Sequence, residues 1–268
     1  MPAVTAFPVV GNVSYIDDFG DPRLQGRHEG NDIMAIRHQP AVAFERGKVE
    51  KHVGSSMGTC MLYLHGASGM TYIYIHLNND LTMKNDNRGG CRNGVSWAPG
   101  LRNGQTVRRG QLVGYVGDSG DADGIHPHLH FEVHPNARAA ANPFPHLNKA
   151  RRLLFAAQPG TTFTLALSGK VANAAGEDLQ VTVDHVRQWP GGRKVKQTGQ
   201  KVPVTVPETA SIEGVGPAGA AALSPYPSLE LLTKGLPVTV WTSPAKVTFA
   251  ALAGAKGALA ASRVVVRP

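Results

Sequence analysis

The 268-residue sequence predicts an all-β protein of two domains, and three observations carry that expectation. Short segments alternate apolar and polar residues with the period of two that a half-buried strand shows. Connectors rich in glycine, proline and alanine punctuate those segments after residue 158. The turn Gln158-Pro159-Gly160 also separates two regions of different charge. The domains expected are therefore residues 1–157 and residues 158–268, the second a smaller β-sandwich or barrel-like unit.

The first chemically distinctive segment is Arg27-His28-Glu29-Gly30-Asn31-Asp32-Ile33. Gly26, Gly30 and Asn31 disfavour a helix, so His28 and Asp32 are expected on an extended segment or tight turn, where positions four apart can face the same way. Imidazole nitrogen and carboxylate oxygen are both zinc donors, and a catalytic zinc takes three protein ligands with its fourth position left to water. His28, Asp32 and one histidine from a later strand make that count. Glu29 receives no general-base role, because the chain lacks a His-Glu-x-x-His helix.

Residues 71–77, TYIYIHL, read as a half-buried strand with Tyr72, Tyr74 and His76 on one face and Ile73, Ile75 and Leu77 on the other. A glycine-rich insertion follows over residues 79–105. Loops of that length in a compact domain are usually functional or disordered, which makes this one a candidate wall of a substrate groove. Trp97 and Arg102 could contact substrate there, although a lone Trp is as often packed as presented. Cys60 and Cys91 are the two cysteines. A bond between them would pin the insertion to the core, the alternative being two free thiols.

Gly124-Ile125-His126-Pro127-His128-Leu129-His130-Phe131-Glu132-Val133-His134 has a histidine at every second position of an expected strand. His128, His130, Glu132 and His134 then share one face, and Leu129, Phe131 and Val133 the other. A single His-x-His pair fits an ordinary solvent-facing strand equally well. Spacing alone leaves open which two of His126, His128 and His130 form the functional pair. His134 either orients a ligand or is a surface histidine.

The ordered set resembles the lysostaphin-type family of zinc endopeptidases that cut bacterial peptidoglycan. Its pattern is matched by His28 and Asp32, then Tyr74 and His76, then His128-Leu129-His130-Phe131-Glu132-Val133, preceded by the glycine-punctuated Val113-Gly114-Tyr115-Val116-Gly117-Asp118-Ser119-Gly120. The resemblance covers residues 19–147. It implies an antiparallel β-sheet peptidase domain with a long loop insertion, His28, Asp32 and His130 as ligands of one Zn2+, His76 and His128 as unligated catalytic histidines, and Tyr74 as a candidate donor to the oxyanion. The Leu-His-Phe-Glu-Val context fixes the register at His128-x-His130 and leaves His126 at the rim of the site.

The implied function is hydrolysis of peptidoglycan peptide bonds by a metal-activated water. Two alternatives are a non-catalytic peptidoglycan-binding or hydrolase-activating protein on the same scaffold, and a zinc protease of glycine-rich proteins. The presence of all three ligands favours the enzyme.

Composition bounds the rest. The chain has no run of about 18 apolar residues, so no membrane span is expected. The amino-terminal run MPAVTAFPVVG does not read as a signal peptide, so an extracellular or wall-associated protein would use a signal outside this sequence or another route. Residues 1–150 hold 14 Lys and Arg against 13 Asp and Glu, and residues 151–268 hold 13 against 6. A basic second domain suits long-range attraction to anionic wall polymers, or is an ordinary solvated surface. Nucleic acid is a poorer partner because no binding motif is present and aromatics are few. A monomer is expected. After the catalytic strand, a helix is expected over residues 147–157, then strands near 162–167, 179–186, 202–206, 237–241, 247–252 and 263–267.

Overall fold

A computed structural model describes residues 4–24, 26–54, 59–215, 223–225 and 228–267, so residues 1–3 of the run MPAVTAFPVVG lie outside the described residues. The chain is mainly β and divides into two compact units, residues 1–156 and 157–268. No helix among the described residues is long and apolar enough to cross a membrane.

The first unit contains β1 (Pro22–Arg23), β2 (Gly26–Arg27), β3 (Asn31–Met34), β4 (Pro40–Val42), β5 (Gly47–Val53), β6 (Cys60–Gly66), β7 (Met70–Ile75), β8 (Thr106–Val107), β9 (Leu112–Tyr115), β10 (His128–Pro135) and the short helix α1 (Phe144–Lys149). Six of the strands form a sheet in the order β3-β10-β7-β6-β5-β8, antiparallel throughout. The long β10, eight residues, sits between β3 and β7 and so brings histidines beside both.

Alternation along β10 divides its faces as the sequence predicts. Leu129, Phe131 and Val133 are fully buried. Phe131 packs with Phe44, Tyr72 and Tyr74, with ring centroids 5.3, 5.9 and 5.2 Å away, an aromatic core beneath the histidine face.

The insertion at 79–105 is ordered by three devices. Cys60 and Cys91 form a disulfide that ties it to the start of β6; closing a loop of that length is worth about 3 to 4 kcal/mol against the unfolded chain. Arg37, buried, pairs bidentately with Asp118 at 2.5 and 2.8 Å and also holds Asp80. The other oxygen of Asp80 accepts the backbone N–H groups of Asp86 and Asn87, both at 2.7 Å. Trp97 is packed: it is 5% exposed and its indole N–H donates to the Met61 carbonyl at 2.9 Å.

The second unit contains β11 (Thr162–Ala175), β12 (Asp178–Trp189), β13 (Lys194–Thr205), β14 (Ser211–Val215), β15 (Leu223–Pro225), β16 (Pro237–Thr242), β17 (Ala245–Lys246), α2 (Phe249–Leu252) and β18 (Ala261–Val266). They join one eight-stranded sheet in the order β13-β12-β11-β16-β18-β14-β15, with β17 against β11. A cross-strand row of Leu167, Val186, Val240 and Val264 is buried on one face of it.

Three expectations are corrected here. Strands β11, β12 and β13 run 14, 12 and 12 residues, longer than the short runs the sequence suggests. The helix expected over 147–157 stops at Lys149, because the backbone of Arg151 is taken by the amino-terminal segment: Arg151 N–H donates to Thr5 O at 2.8 Å and Phe7 N–H to Arg151 O at 2.9 Å. The strand expected over 247–252 is largely the helix α2, started by Thr248, whose hydroxyl accepts the Ala251 N–H at 3.1 Å.

Candidate metal centre

The site grows from strand register. His130 on β10 lies directly opposite Asp32 on β3, and cross-strand partners present their side chains on the same face. His28 reaches them from the turn between β2 and β3. That turn passes so close to β10 that only glycine fits at position 30, where a Cβ would stand 2.6 Å from His130 Nε2 and 2.7 Å from the Phe131 carbonyl oxygen.

Three ligand atoms converge. His28 Nε2 and His130 Nδ1 are 2.9 Å apart, and each is 3.1 Å from Asp32 Oδ1. The outer nitrogen of each ring is already committed to an oxygen. His28 Nδ1 donates to the Asp18 carbonyl at 2.8 Å, and His130 Nε2 donates to Glu132 Oε1 at 3.0 Å. Both inward nitrogens therefore face a carboxylate oxygen with lone pairs, and a positive charge must lie among them. Without a metal it is a proton: burial works to lower the His130 pKa, but hydrogen bonds to Asp32 and Glu132 outweigh it and push it up to about 9. Burial would raise Asp32, yet its hydrogen bonds to His130 and His28 hold it well below the usual carboxylate range. A metal ion can take the same place, and the three residues form a cluster whose ligand atoms lie within 4.8 Å of one another.

Around this cluster stands a second ring of oriented groups. Glu132 Oε2 also accepts from His134 Nε2 at 2.6 Å, so Glu132 links His134 to His130. Arg23, in the β1–β2 hairpin, donates to Asp32 Oδ2 at 2.9 Å. Asp18 Oδ1 accepts from Asn31 Nδ2 at 2.6 Å while its carbonyl holds His28. Arg23 and Asp18 were not marked by any sequence motif; only the fold brings them to the cluster.

His76 and His128 stand beside this cluster. His128 Nδ1 donates to the His126 carbonyl at 2.9 Å, which leaves the Nε2 lone pair 3.7 Å from Asp32 Oδ1. His76 Nδ1 donates to the Ser119 carbonyl at 2.9 Å, and its ring centroid is 4.9 Å from that of His128. Burial and the neighbouring His128 lower the His76 pKa to about 4, so its ring is neutral near pH 7. Both histidines line an open cleft of about 870 Å³ that also exposes Arg27, Ile125 and His126, the last at the rim as expected.

Tyr74 is not at this site. It is fully buried on the opposite face of the sheet, where its hydroxyl accepts the Phe44 N–H and donates to the Val42 carbonyl, both at 2.9 Å. The expected sharing of a face by Tyr74 and His76 fails for a definite reason. Strand β7 ends at Ile75, and His76 adopts a left-handed backbone, φ 60°, which turns its ring out of the alternation and toward β10.

Residues 95–143 match the model of peptidase family M23, a stretch that holds His128 and His130. Over 156 residues the chain is 30% identical to an L-Ala–D-Glu endopeptidase of Bacillus subtilis, covering 54% of this chain and 43% of that protein. It is also 30% identical over 137 residues to the DD-carboxypeptidase/endopeptidase Mpg of Neisseria meningitidis, covering 49% and 26%. The chain thus spans less than half the length of these curated relatives. Among solved structures, the catalytic domain of lysostaphin from Staphylococcus simulans is 24% identical with a TM-score of 0.39, covering 51% of this chain and 93% of that one. Residues 95–143 thus carry the match to peptidase family M23, and the alignment to the L-Ala–D-Glu endopeptidase extends that likeness over about half of the chain.

Proposed function

We propose that this chain is a zinc-dependent endopeptidase that hydrolyses peptide bonds of bacterial peptidoglycan and acts outside the cell or at its wall. The observation that carries this reading is the triangle of His28 Nε2, Asp32 Oδ1 and His130 Nδ1. A tetrahedral ion with bonds of 2.0–2.1 Å separates its ligand atoms by about 3.3 Å. The three edges here, 2.9, 3.1 and 3.1 Å, need only a slight opening. Two imidazoles and one carboxylate are a catalytic donor set, and the adjoining cleft gives access to a fourth position.

When bound, zinc supplies a water of pKa near ~7 and polarises the scissile carbonyl. The remaining work falls to the chain. His128 and His76 each keep one ring nitrogen pinned to a backbone carbonyl, so their Nε2 atoms are fixed acceptors. One takes the proton of the attacking water. As an imidazolium it then donates to the developing oxyanion and returns the proton to the leaving amine. With Tyr74 in the core, that donation rests on the two histidines.

Digestion of purified sacculi with the zinc-loaded chain, read by mass spectrometry, tests this reading. The expected result is new amino termini within stem peptides or cross-bridges, abolished by chelation. Intact sacculi after treatment with fully loaded protein would reject it.

A further inference from the structure

The exposed face of the second unit's sheet carries a cationic surface that the peptidase chemistry does not use. Residues paired across neighbouring strands share a face. On β16, β11, β12 and β13 one row is Trp241, Ala166, Arg187 and Lys194; the next is Thr239, Ser168, His185 and Lys196; the third is Pro237, Lys170, Thr182 and Lys201. These twelve positions hold five Lys or Arg, and Asp184, exposed at the bulge of β12, stands between the second and third rows. Among the described residues none of the five forms an ion pair, and all five are solvent-exposed. Trp189 stacks on Trp241 across β11, ring centroids 5.1 Å apart, over the small side chains of Thr164 and Ala166. Trp241 remains 36% exposed at the edge of the cations.

We infer that this face docks the chain on peptidoglycan, its cations pairing with stem-peptide carboxylates and Trp241 packing against a sugar ring. The identity of the polymer rests on the function proposed for the first unit; the charge of the face does not. Strand spacing makes the patch about 14 Å across the strands and 13 Å along them. A flat array of that size offers no cradle for a single small anion, but matches a polymer that repeats its charges. Five cations against the single carboxylate of Asp184 leave an excess of positive charge that selects a polyanion and would steer it at long range. Because the two indoles stack on each other, no slot is left between them for an unstacked base, which favours a glycan over single-stranded nucleic acid.

Co-sedimentation of the full chain with sacculi stripped of phosphodiester polymers, in chelator to stop hydrolysis, tests the inference. Binding is expected at low salt and release at high salt. Arg187→Glu/Lys196→Glu should weaken it about tenfold or more, and Trp241→Ala should weaken it with little change in salt dependence. The charge-matched control Arg46→Glu/Lys149→Glu, both exposed residues of the first unit, should bind like the parent. Should the first pair fail to fold, Lys170→Glu/Lys201→Glu repeats the measurement at the other end of the face. Equal losses in the control pair, binding only to unstripped sacculi, or tighter binding to single-stranded DNA would each overturn the inference. Hydrolysis of a small soluble stem peptide by the parent chain, measured separately, tells failure of this surface from failure of the peptidase reading.

Discussion

Arg23 and Asp32 meet through one hydrogen bond, Nη2 to Oδ2 at 2.9 Å, while Oδ1 of the same carboxylate lies 3.1 Å from both His28 Nε2 and His130 Nδ1. The guanidinium thereby assigns the two oxygens to different tasks, one held from outside and one presented to the cluster. Groups that orient a metal ligand in this way typically contribute 10- to 100-fold in affinity. Arg23→Ala is expected to weaken zinc binding by about 10- to 100-fold, with partial recovery in Arg23→Lys, whose point charge cannot reproduce the planar fork. Competition against a chromogenic chelator reads both; unchanged affinity in Arg23→Ala would remove Arg23 from the site.

Gly30 sets how closely the His28 turn approaches β10. In Gly30→Ala the new methyl would meet His130 Nε2 and the Phe131 carbonyl, so either β3 and β10 separate or the His130 ring rotates. The expected outcome is a folded protein with impaired zinc uptake and a loss of turnover larger than its loss of thermal stability. Unaltered zinc affinity would show that the turn relaxes without moving the ligand.

Tyr74 serves the core. Tyr74→Phe removes a donor and an acceptor from the buried Phe44 N–H and Val42 carbonyl, which should cost about 1–3 kcal/mol of stability. Hydrolysis by the folded fraction should persist. Denaturant unfolding beside a turnover assay separates the two, and a stable but inactive variant would restore a catalytic role to this hydroxyl.

His76 and His130 give the metal-free protein opposite pH dependences in adjacent windows. His76 falls from an ordinary 6.5 to about 4, so between those values the unfolded chain binds the extra proton and stability declines as pH drops. His130 rises from 6.5 to about 9, so the folded chain binds the extra proton and stability declines as pH rises through that range. Thermal unfolding in chelator from pH 4 to 9 should therefore peak near pH 6.5. His76→Gln should flatten the acid limb and His130→Gln the alkaline one. Saturating zinc, which would displace the His130 proton, should shrink the alkaline limb to the part contributed by His134, whose pKa burial would lower but its bond to Glu132 raises. An alkaline limb undiminished by zinc would show that the ion does not bind at His130.

How much of this was legible in the chain depended on whether local pattern or distant pairing set each residue's position. The β10 face could be read because alternation runs unbroken from His128 to His134, and the register that puts Asp32 opposite His130 keeps its meaning once β3 and β10 pair. Counting by twos puts Tyr74 on the face of His76, but the left-handed backbone at His76 breaks the count. Arg23 and Asp18 lie in Asp17-Asp18-Phe19-Gly20-Asp21-Pro22-Arg23, a turn sequence with no periodicity to mark it, and reach the site only through the β1–β2 hairpin. The helix expected past Lys149 was lost to a partner about 145 residues away, Thr5 to Phe7, which no local signal reveals.

The most direct measurement is metal content with turnover for the parent chain and for His28→Ala, Asp32→Ala, His130→Ala and His128→Ala, each purified and loaded identically. One zinc per parent chain is expected, lost with activity in the first three variants. It should be retained in His128→Ala, whose hydrolysis should fall by about 10²- to 10⁴-fold. A zinc-loaded and active His130→Ala protein would contradict the three-ligand centre.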